Sequence, residues 1–173
     1  MYIKIQIDKQ LSQAWEWIRQ NQDAELAQKG LKMLEALAHQ YPERIQTHFE
    51  YAGALDYLGH EQLAAQSYEK VLEMGVEDLP LKQRPEFYVQ YGSTLRNLRL
   101  YAKAHLILDQ GMQKYPEYMA LKAFKALLRI SEGDQPHTHL RWLKILVEES
   151  RDSSILRFER SLRNYIKIEQ DNL

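Results

Sequence analysis

Residues 91–116, YGSTLRNLRLYAKAHLILDQGMQKYP, carry small residues and a proline at regular intervals. Gly92, Ala104 and Pro116 stand twelve residues apart, and the large apolar residues around them recur at spacings of three and four. That spacing places side chains on one face of an α-helix. Pro116 ends the second apolar stripe, because proline lacks a backbone N–H and restricts the residue before it. The stretch is therefore predicted to form two antiparallel helices joined by a tight turn at residues 97–100.

The same pattern occurs upstream in residues 51–76, YAGALDYLGHEQLAAQSYEKVLEMGV, which align with the first stretch without a gap. Ala52 and Ala64 stand where Gly92 and Ala104 do. Helix backbones approach closely only where side chains are small, and larger neighbours then fill the space at crystal-like density. We therefore expect Gly92 to lie against Ala104, and Ala52 against Ala64. Two such pairs, with a period in the thirties, indicate a repeat array.

Two further helix pairs are predicted on either side of these. Residues 10–43 match loosely: Gly30 falls on a second-helix position, Ile18 occupies the small-residue position, and Asp23 is the expected N-cap. Residues 117–150 form the fourth pair.

The fourth pair has two registers that the sequence leaves open. One keeps Ala126 at the small position but turns two lysines inward. The other buries Leu121, Phe124 and Leu128 but misplaces Lys125.

The connections between helices also show in the sequence. Turns are predicted at Gly59 and at Gly133–Asp134, with Pro136 in the first turn of the next helix. Residues 78–85, DLPLKQRP, lengthen the connection between the second and third pairs by six residues over a 34-residue period.

The two ends of the chain are predicted to differ from the pairs. Residues 152–173 form one amphipathic helix, with a polar face suited to closing an array. Its apolar stripe is Ile155, Phe158, Leu162, Tyr165 and Ile166. The alternation in residues 3–7, IKIQI, predicts a strand or an extended arm over residues 1–10.

Composition narrows the class of protein. The chain has 173 residues, is 45% hydrophobic, carries a formal net charge of −1 and contains no Cys. Disulfides, Cys-type zinc sites and iron–sulfur clusters are therefore excluded. No run of eighteen apolar residues and no secretory signal are present, so we expect a cytoplasmic protein.

The repeat pattern resembles the tetratricopeptide repeat, whose marks are a large residue, Leu–Gly, Tyr, Ala, an aromatic residue and a closing Pro. The third pair carries Tyr91–Gly92, Leu95, Ala104, Leu108, Gly111 and Pro116. The second carries Tyr51–Ala52, Leu55, Leu58–Gly59, Ala64, Tyr68 and Val71. The resemblance covers roughly residues 11–150 and departs at Ile18 and at His48, where a Trp is typical.

This resemblance, to small stand-alone bacterial proteins of the family, implies an all-α fold. The expected fold is a right-handed α-solenoid of about four helix pairs, residues 11–44, 45–84, 85–118 and 119–150, followed by a capping helix at 151–173. In the family the first helices line a concave groove that binds an extended peptide or a helix of a partner. The implied function is a non-catalytic protein- or peptide-binding scaffold without a cofactor.

The resemblance also assigns positions to the groove. The expected groove residues are Trp15, Arg19, Phe49, Gly53, Asp56, Tyr57, Val89, Gln90, Ser93, Arg96 and Asn97. Several family members hold a terminal carboxylate with Lys and Asn, but here the matching places carry Trp15, Arg19 and Glu50. We therefore do not expect a partner bound through its C-terminal carboxylate. Arg96 and Asn97 are candidates for holding an acidic side chain or a backbone carbonyl.

Charge is unevenly distributed along the chain. Residues 41–78 contain eight acids and two bases, and residues 79–129 contain nine bases and three acids. This segregation is compatible with a partner of opposite polarity, with head-to-tail self-association, or with solvated helix faces that carry no function.

Two alternative functions remain open. The basic segment 79–129 raises RNA binding, although it lacks interleaved aromatic platforms, so nucleic acid is not the favoured partner. His137 and His139 raise a metal site, although no HExxH motif accompanies them. No phosphate-binding loop or G-x-S-x-G motif occurs, and we expect neither an enzyme nor a membrane protein.

Overall fold

The computed structural model describes residues 2–20 and 23–172, and within these residues all regular structure is helical. The helices are α1 (Tyr2–Arg19), α2 (Ala24–Gln40), α3 (Ile45–Tyr57), α4 (Glu61–Met74), α5 (Gln83–Asn97), α6 (Tyr101–Lys114), α7 (Met119–Ser131), α8 (Pro136–Glu149) and α9 (Ser153–Asp171). A 3-10 turn, Val76–Asp78, follows α4. The predicted all-α fold of helix pairs is confirmed. None of these helices combines the length and the apolar character that a membrane span requires.

The chain divides into two compact units, unit 1 (Met1–Phe87) and unit 2 (Tyr88–Leu173), and the division falls within α5. In unit 1, α1 packs on α2, α2 on α3, and α3 on α4. Phe49, Tyr68 and Phe87 form its aromatic core, with ring centroids 6.0–6.4 Å apart. All three side chains are fully or almost fully buried.

The first pair explains why Ile18 can occupy a small-residue position. A side chain on Gly30 would place its Cβ 2.6 Å from the Ala14 carbonyl oxygen and 2.8 Å from Ile18. The small residue that allows α1 and α2 to approach therefore comes from α2 instead of α1. Asp23 caps α2 as predicted, since its side chain accepts a hydrogen bond from the Leu26 N–H.

In unit 2, α5 and α6 approach at two glycines. A Cβ on Gly92 would lie 2.6 Å from Leu108, and one on Gly111 would lie 2.6 Å from the Tyr88 side chain. The three heavy atoms nearest to a Cβ on Gly92 all belong to Leu108, which follows Ala104 by four residues on α6. Ala104 itself is fully buried, as a small residue at a helix contact should be.

The fourth pair adopts the second of the two registers, because Lys122 is exposed and not turned inward, although Ala126 is buried as well. Leu121, Phe124 and Leu128 are buried on α7. Lys125 is accommodated because its ammonium group lies 2.6 Å from a carboxylate oxygen of Asp109 on α6. The predicted turn at Gly133 is present, with a positive φ of 78°.

Helix α9 packs against α7 and α8, as expected of a capping helix. Ile155, Phe158, Leu162 and Ile166 are buried, whereas Tyr165 is only partly buried. Hydrogen bonds at two residues hold the N-terminus of α9 in place. Asp152 accepts hydrogen bonds from the Ser154 and Ile155 N–H groups, and the Ser154 hydroxyl accepts one from the Ala120 N–H at 3.0 Å.

The predicted strand or arm at residues 3–7 is wrong, because α1 begins at Tyr2. Ile7, Leu11, Ala14 and Ile18 are all buried and recur at spacings of four and three. A helical stripe thus extends through the segment, and a short alternation of isoleucines was too local to reveal it. Met1 lies outside the described residues.

Candidate functional site

In unit 1, two hydrogen bonds connect α1, α3 and the start of α5, each of which is the first helix of its pair. The Trp15 indole Nε1–H on α1 donates to Glu50 Oε2 on α3 at 2.6 Å. The Gln83 side-chain amide, in the first turn of α5, donates to Glu50 Oε1 at 2.6 Å. One carboxylate therefore receives one donor from α1 and one from α5, and the orientation of the Trp15 ring is fixed.

Tyr57 and Arg19 complete this surface. The Tyr57 ring, at the end of α3, meets the Trp15 ring edge-on with centroids 6.1 Å apart, and 42% of Tyr57 is exposed. The exposed Arg19 guanidinium lies 5.1 Å from the centroid of the Trp15 ring. Hereafter the Trp15 face denotes Trp15, Arg19, Glu50, Tyr57 and Gln83. It presents aromatic rings beside a fixed carboxylate.

The surroundings of the Trp15 face are acidic. Unit 1 has nine Lys and Arg against fourteen Asp and Glu, a net formal charge of −5. The pKa of the Tyr68 hydroxyl is raised well above its usual value, chiefly by burial and further by the negative charges of Asp56 and Glu50. Tyr68 stays neutral, and these carboxylates set the local potential.

The other groove positions predicted in unit 1 differ in exposure. Gly53 and Asp56 are half-buried. Phe49 is buried in the aromatic core, so its assignment to a partner-contacting groove is corrected: apolar burial between α3, α4 and α5 removes it from the surface.

The groove positions predicted in unit 2 are largely covered. Val89 is fully buried, and Gln90 is half-buried. The Ser93 hydroxyl lies 3.3 Å from the Tyr165 hydroxyl of α9, and the Asn97 amide donates to that same hydroxyl at 3.1 Å. The side of α5 expected to face a partner thus contacts the C-terminal helix of the same chain.

Arg96 is the centre of this contact and is only 7% exposed. Its guanidinium lies 4.2 Å from the centroid of the Tyr165 ring, and Nη1 is 3.4 Å from both Glu169 Oε1 and Ser131 Oγ. Burial lowers the pKa of Arg96, while Tyr165 and Glu169 act in the opposite direction. Arg96 does hold an acidic side chain, but that side chain is Glu169 and not a group of a partner.

A family model described as "Tetratrico peptide repeat" matches residues 45–168. The chain belongs to the tetratricopeptide repeat family. The match runs from the start of α3 into α9 and leaves out the loosely patterned first pair. No curated protein and no solved structure matches the chain. Tetratricopeptide repeats typically mediate protein–protein interaction, which is consistent with an exposed aromatic surface on the first helices.

Two residues of the Trp15 face in this tetratricopeptide repeat protein were not among the predicted groove positions. Glu50 occupies a position of the family's carboxylate clamp without providing the Lys or Asn that the clamp requires. Gln83 lies in residues 78–85, the segment that lengthens the connection between two pairs, where the repeat pattern assigns no role. The added length of this segment was the one feature of the sequence that could have indicated Gln83, since it brings a polar side chain to the start of α5.

The geometry of the described residues does not support a metal site at His137 and His139. His137 and His139 lie in the first turn of α8, and His137 is exposed. Among the described residues, no group of three His, Cys, Asp or Glu side chains is arranged to hold a metal ion.

The RNA alternative is weakened by the pairing of basic side chains in the tetratricopeptide repeats. Lys125 pairs with Asp109 at 2.6 Å, Arg129 with Asp134 at 2.6 Å, and Arg96 is buried against Glu169. Cations engaged in this way are poorly placed to neutralise phosphates.

Proposed function

We propose that this protein is a non-catalytic scaffold that binds a segment of a partner protein through the Trp15 face of unit 1. The observation that carries the proposal is the hydrogen-bonded series Trp15–Glu50–Gln83, which spans three helices and holds the half-buried Trp15 ring beside the exposed Tyr57. A rigid aromatic side chain loses little conformational entropy when it is buried by a partner, and such residues dominate binding energy at protein interfaces.

The covered surface in unit 2 supports the choice of unit 1. Ser93 and Arg96 are buried where they contact α9, and the exposed Asn97 is hydrogen-bonded to Tyr165 of α9, whereas Tyr57 is 42% exposed. Partner binding at the Trp15 face requires no displacement of a helix.

The experiment is an affinity capture from native lysate with the immobilised protein and two variants, Trp15→Ala and Tyr57→Ala. The control is Trp142→Ala, which removes an exposed Trp from α8 in unit 2. We expect specific captured proteins to be lost with both unit 1 variants and kept with the control. Equal recovery by all four proteins, each shown to be folded by circular dichroism, would remove the Trp15 face from the binding function.

Arg96→Glu is unsuitable for this experiment. It would bury a second carboxylate beside Glu169, so loss of binding would report misfolding of unit 2.

A further inference from the structure

The Trp15 ring already binds a cation from its own helix. Arg19 follows Trp15 by four residues, so the two side chains lie on the same face of α1. The guanidinium lies 5.1 Å from the ring centroid, within the range of a cation–π interaction. Because Arg19 is exposed, this contact is weakly held and can be exchanged.

The negative charges of unit 1 favour any cation at the position of the Arg19 guanidinium, whichever residue provides it. The ring is oriented by Glu50, whose carboxylate receives the indole N–H at 2.6 Å, and Asp56 follows Glu50 by six residues on α3. The net charge of −5 in unit 1 attracts cations and disfavours acidic segments.

We propose that the Trp15 face recognises an arginine side chain of a basic partner segment, and that Arg19 occupies that place until the partner binds. This inference rests on the proposed scaffold function. Arginine fits better than lysine, because a planar, weakly hydrated guanidinium stacks on an aromatic ring and also donates hydrogen bonds to a carboxylate. Arg19 is then an internal competitor of the ligand and not one of its contacts.

A second Trp on the same helix provides a comparison. The Lys29 ammonium of α2 lies 4.7 Å from the centroid of the Trp17 ring. This pair joins α1 to α2, away from the Glu50 carboxylate of α3. Trp17 and Lys29 therefore form a second pair of a Trp ring and a cation in unit 1, without the hydrogen bond to Glu50 that orients Trp15.

The test follows the three Trp indole N–H signals by ¹⁵N-edited NMR, assigned with single Trp→Phe variants. The probes are blocked nine-residue peptides of Gly and Ser with three central residues that are all Arg, all Lys or all Glu. We expect the Arg peptide to shift the Trp15 signal in a saturable way, the Lys peptide to bind more weakly, and the Trp17 and Trp142 signals to stay in place.

The decisive variant is Arg19→Ala, with Lys29→Ala as its control. Both remove one positive charge from unit 1, but only the first removes the internal competitor. We expect Arg19→Ala to bind the Arg peptide about two- to fivefold more tightly, which corresponds to the loss of one exposed cation–π contact. Lys29→Ala should leave the affinity unchanged.

Several results would overturn the inference. These are weaker or unchanged binding by Arg19→Ala, an equal gain with Lys29→Ala, preference for the Glu peptide, or no shift of the Trp15 signal with any peptide. If captured partners depend on Trp15 and Tyr57 while the Arg peptide fails to bind, the scaffold function stands and the arginine assignment falls. If the Arg peptide binds while capture is insensitive to both variants, the scaffold function falls instead.

Discussion

His48 replaces the Trp that is typical of its repeat position, and the fold makes it a buried hydrogen-bond donor. It is 6% exposed, and its Nε2 lies 2.9 Å from the carbonyl oxygen of Pro42, which can only accept. Burial lowers the pKa of His48, the hydrogen bond to Pro42 partly offsets this, and Lys70 and His39 lower the pKa further.

This environment predicts a loss of stability in mild acid. The folded-state pKa of His48 lies below its ordinary value of 6.5, so below that pH the unfolded chain binds the proton more readily. The contribution is present above pH 6.5 and is lost as the pH falls through that value towards the folded pKa. We expect His48→Gln, which keeps a side-chain donor for Pro42, to reduce the fall in unfolding free energy between about pH 7.5 and 5.5. Urea denaturation at several pH values measures it, and parallel curves for the two proteins would contradict the assignment.

A substitution at Ala104 tests whether helix packing requires the small residues. Ala104 is fully buried, whereas Ala102 on the same helix is exposed. We expect Ala104→Phe to lower the unfolding free energy by about 1–3 kcal/mol through overpacking. Ala102→Phe changes helix propensity alone, by about 0.5 kcal/mol. Equal urea midpoints for the two variants would show that α6 packs in another register.

At the scale of elements, α3 and α5 end in the same turn with different residues. Gly59 has a φ of 80° and Arg99, at the equivalent position, a φ of 58°. The backbone bonds agree, since the Gly59 N–H donates to the Asp56 carbonyl and the Arg99 N–H to the Arg96 carbonyl. A left-handed conformation is unfavourable for residues with a Cβ, and helix C-termini therefore favour glycine there.

Substitutions at these two turn positions should have opposite effects on stability. We expect Arg99→Gly to stabilise the protein by about 0.5 kcal/mol, because relief of the left-handed strain exceeds the added entropy of the unfolded chain. Gly59→Ala should destabilise it by about 1 kcal/mol. Thermal and urea denaturation measure both, and a loss of stability in Arg99→Gly would mean that the turn is not strained.

Helix α9 carries buried apolar residues in both halves and makes its polar contacts with α5 from the second half. Ile155, Phe158 and Leu162 anchor the first half in the core. Tyr165 and Glu169 connect the second half to Arg96 of α5. The amphipathic pattern predicted the helix and its apolar side but not these polar contacts.

The Arg96–Glu169 pair should matter more than a shorter pair on the surface. We expect Arg96→Ala to cost about 3 kcal/mol, because Glu169 is left with 15% of its side chain exposed and no cation beside it. Arg163 and Glu159 are closer, at 2.8 Å, but both side chains are well exposed, so Arg163→Ala should cost less than about 0.5 kcal/mol. A double-mutant cycle with Glu169→Gln measures the coupling. A coupling near zero would show that Arg96 acts through packing alone.

At the scale of the whole molecule, charge is divided between the two units. Unit 1 carries −5, and unit 2, with fourteen Lys and Arg against ten Asp and Glu, carries +4, which together give the net charge of −1. A molecule with two oppositely charged parts can associate with copies of itself.

We expect the weight-average sedimentation coefficient to rise with protein concentration at about 10 mM salt, where the screening length is about 30 Å, and to lose this dependence at about 0.5 M. Concentration-independent sedimentation at low salt would remove self-association and leave the charge division to the recognition of other partners.

The sequence determined the helix pairs, because helical periodicity and the small residues at helix contacts are properties of short stretches. Residues 91–116 and 51–76 suffice to show the repeat, and Asp23, Gly133 and Pro136 mark helix ends correctly. Only the tertiary structure decided which polar residues remain accessible. Ser93 and Tyr165 are separated by 72 residues and Trp15 and Glu50 by 35, and whether α9 or solvent covers a side chain depends on such contacts. A periodic pattern identifies the face of a helix, but long-range packing determines what lies against that face.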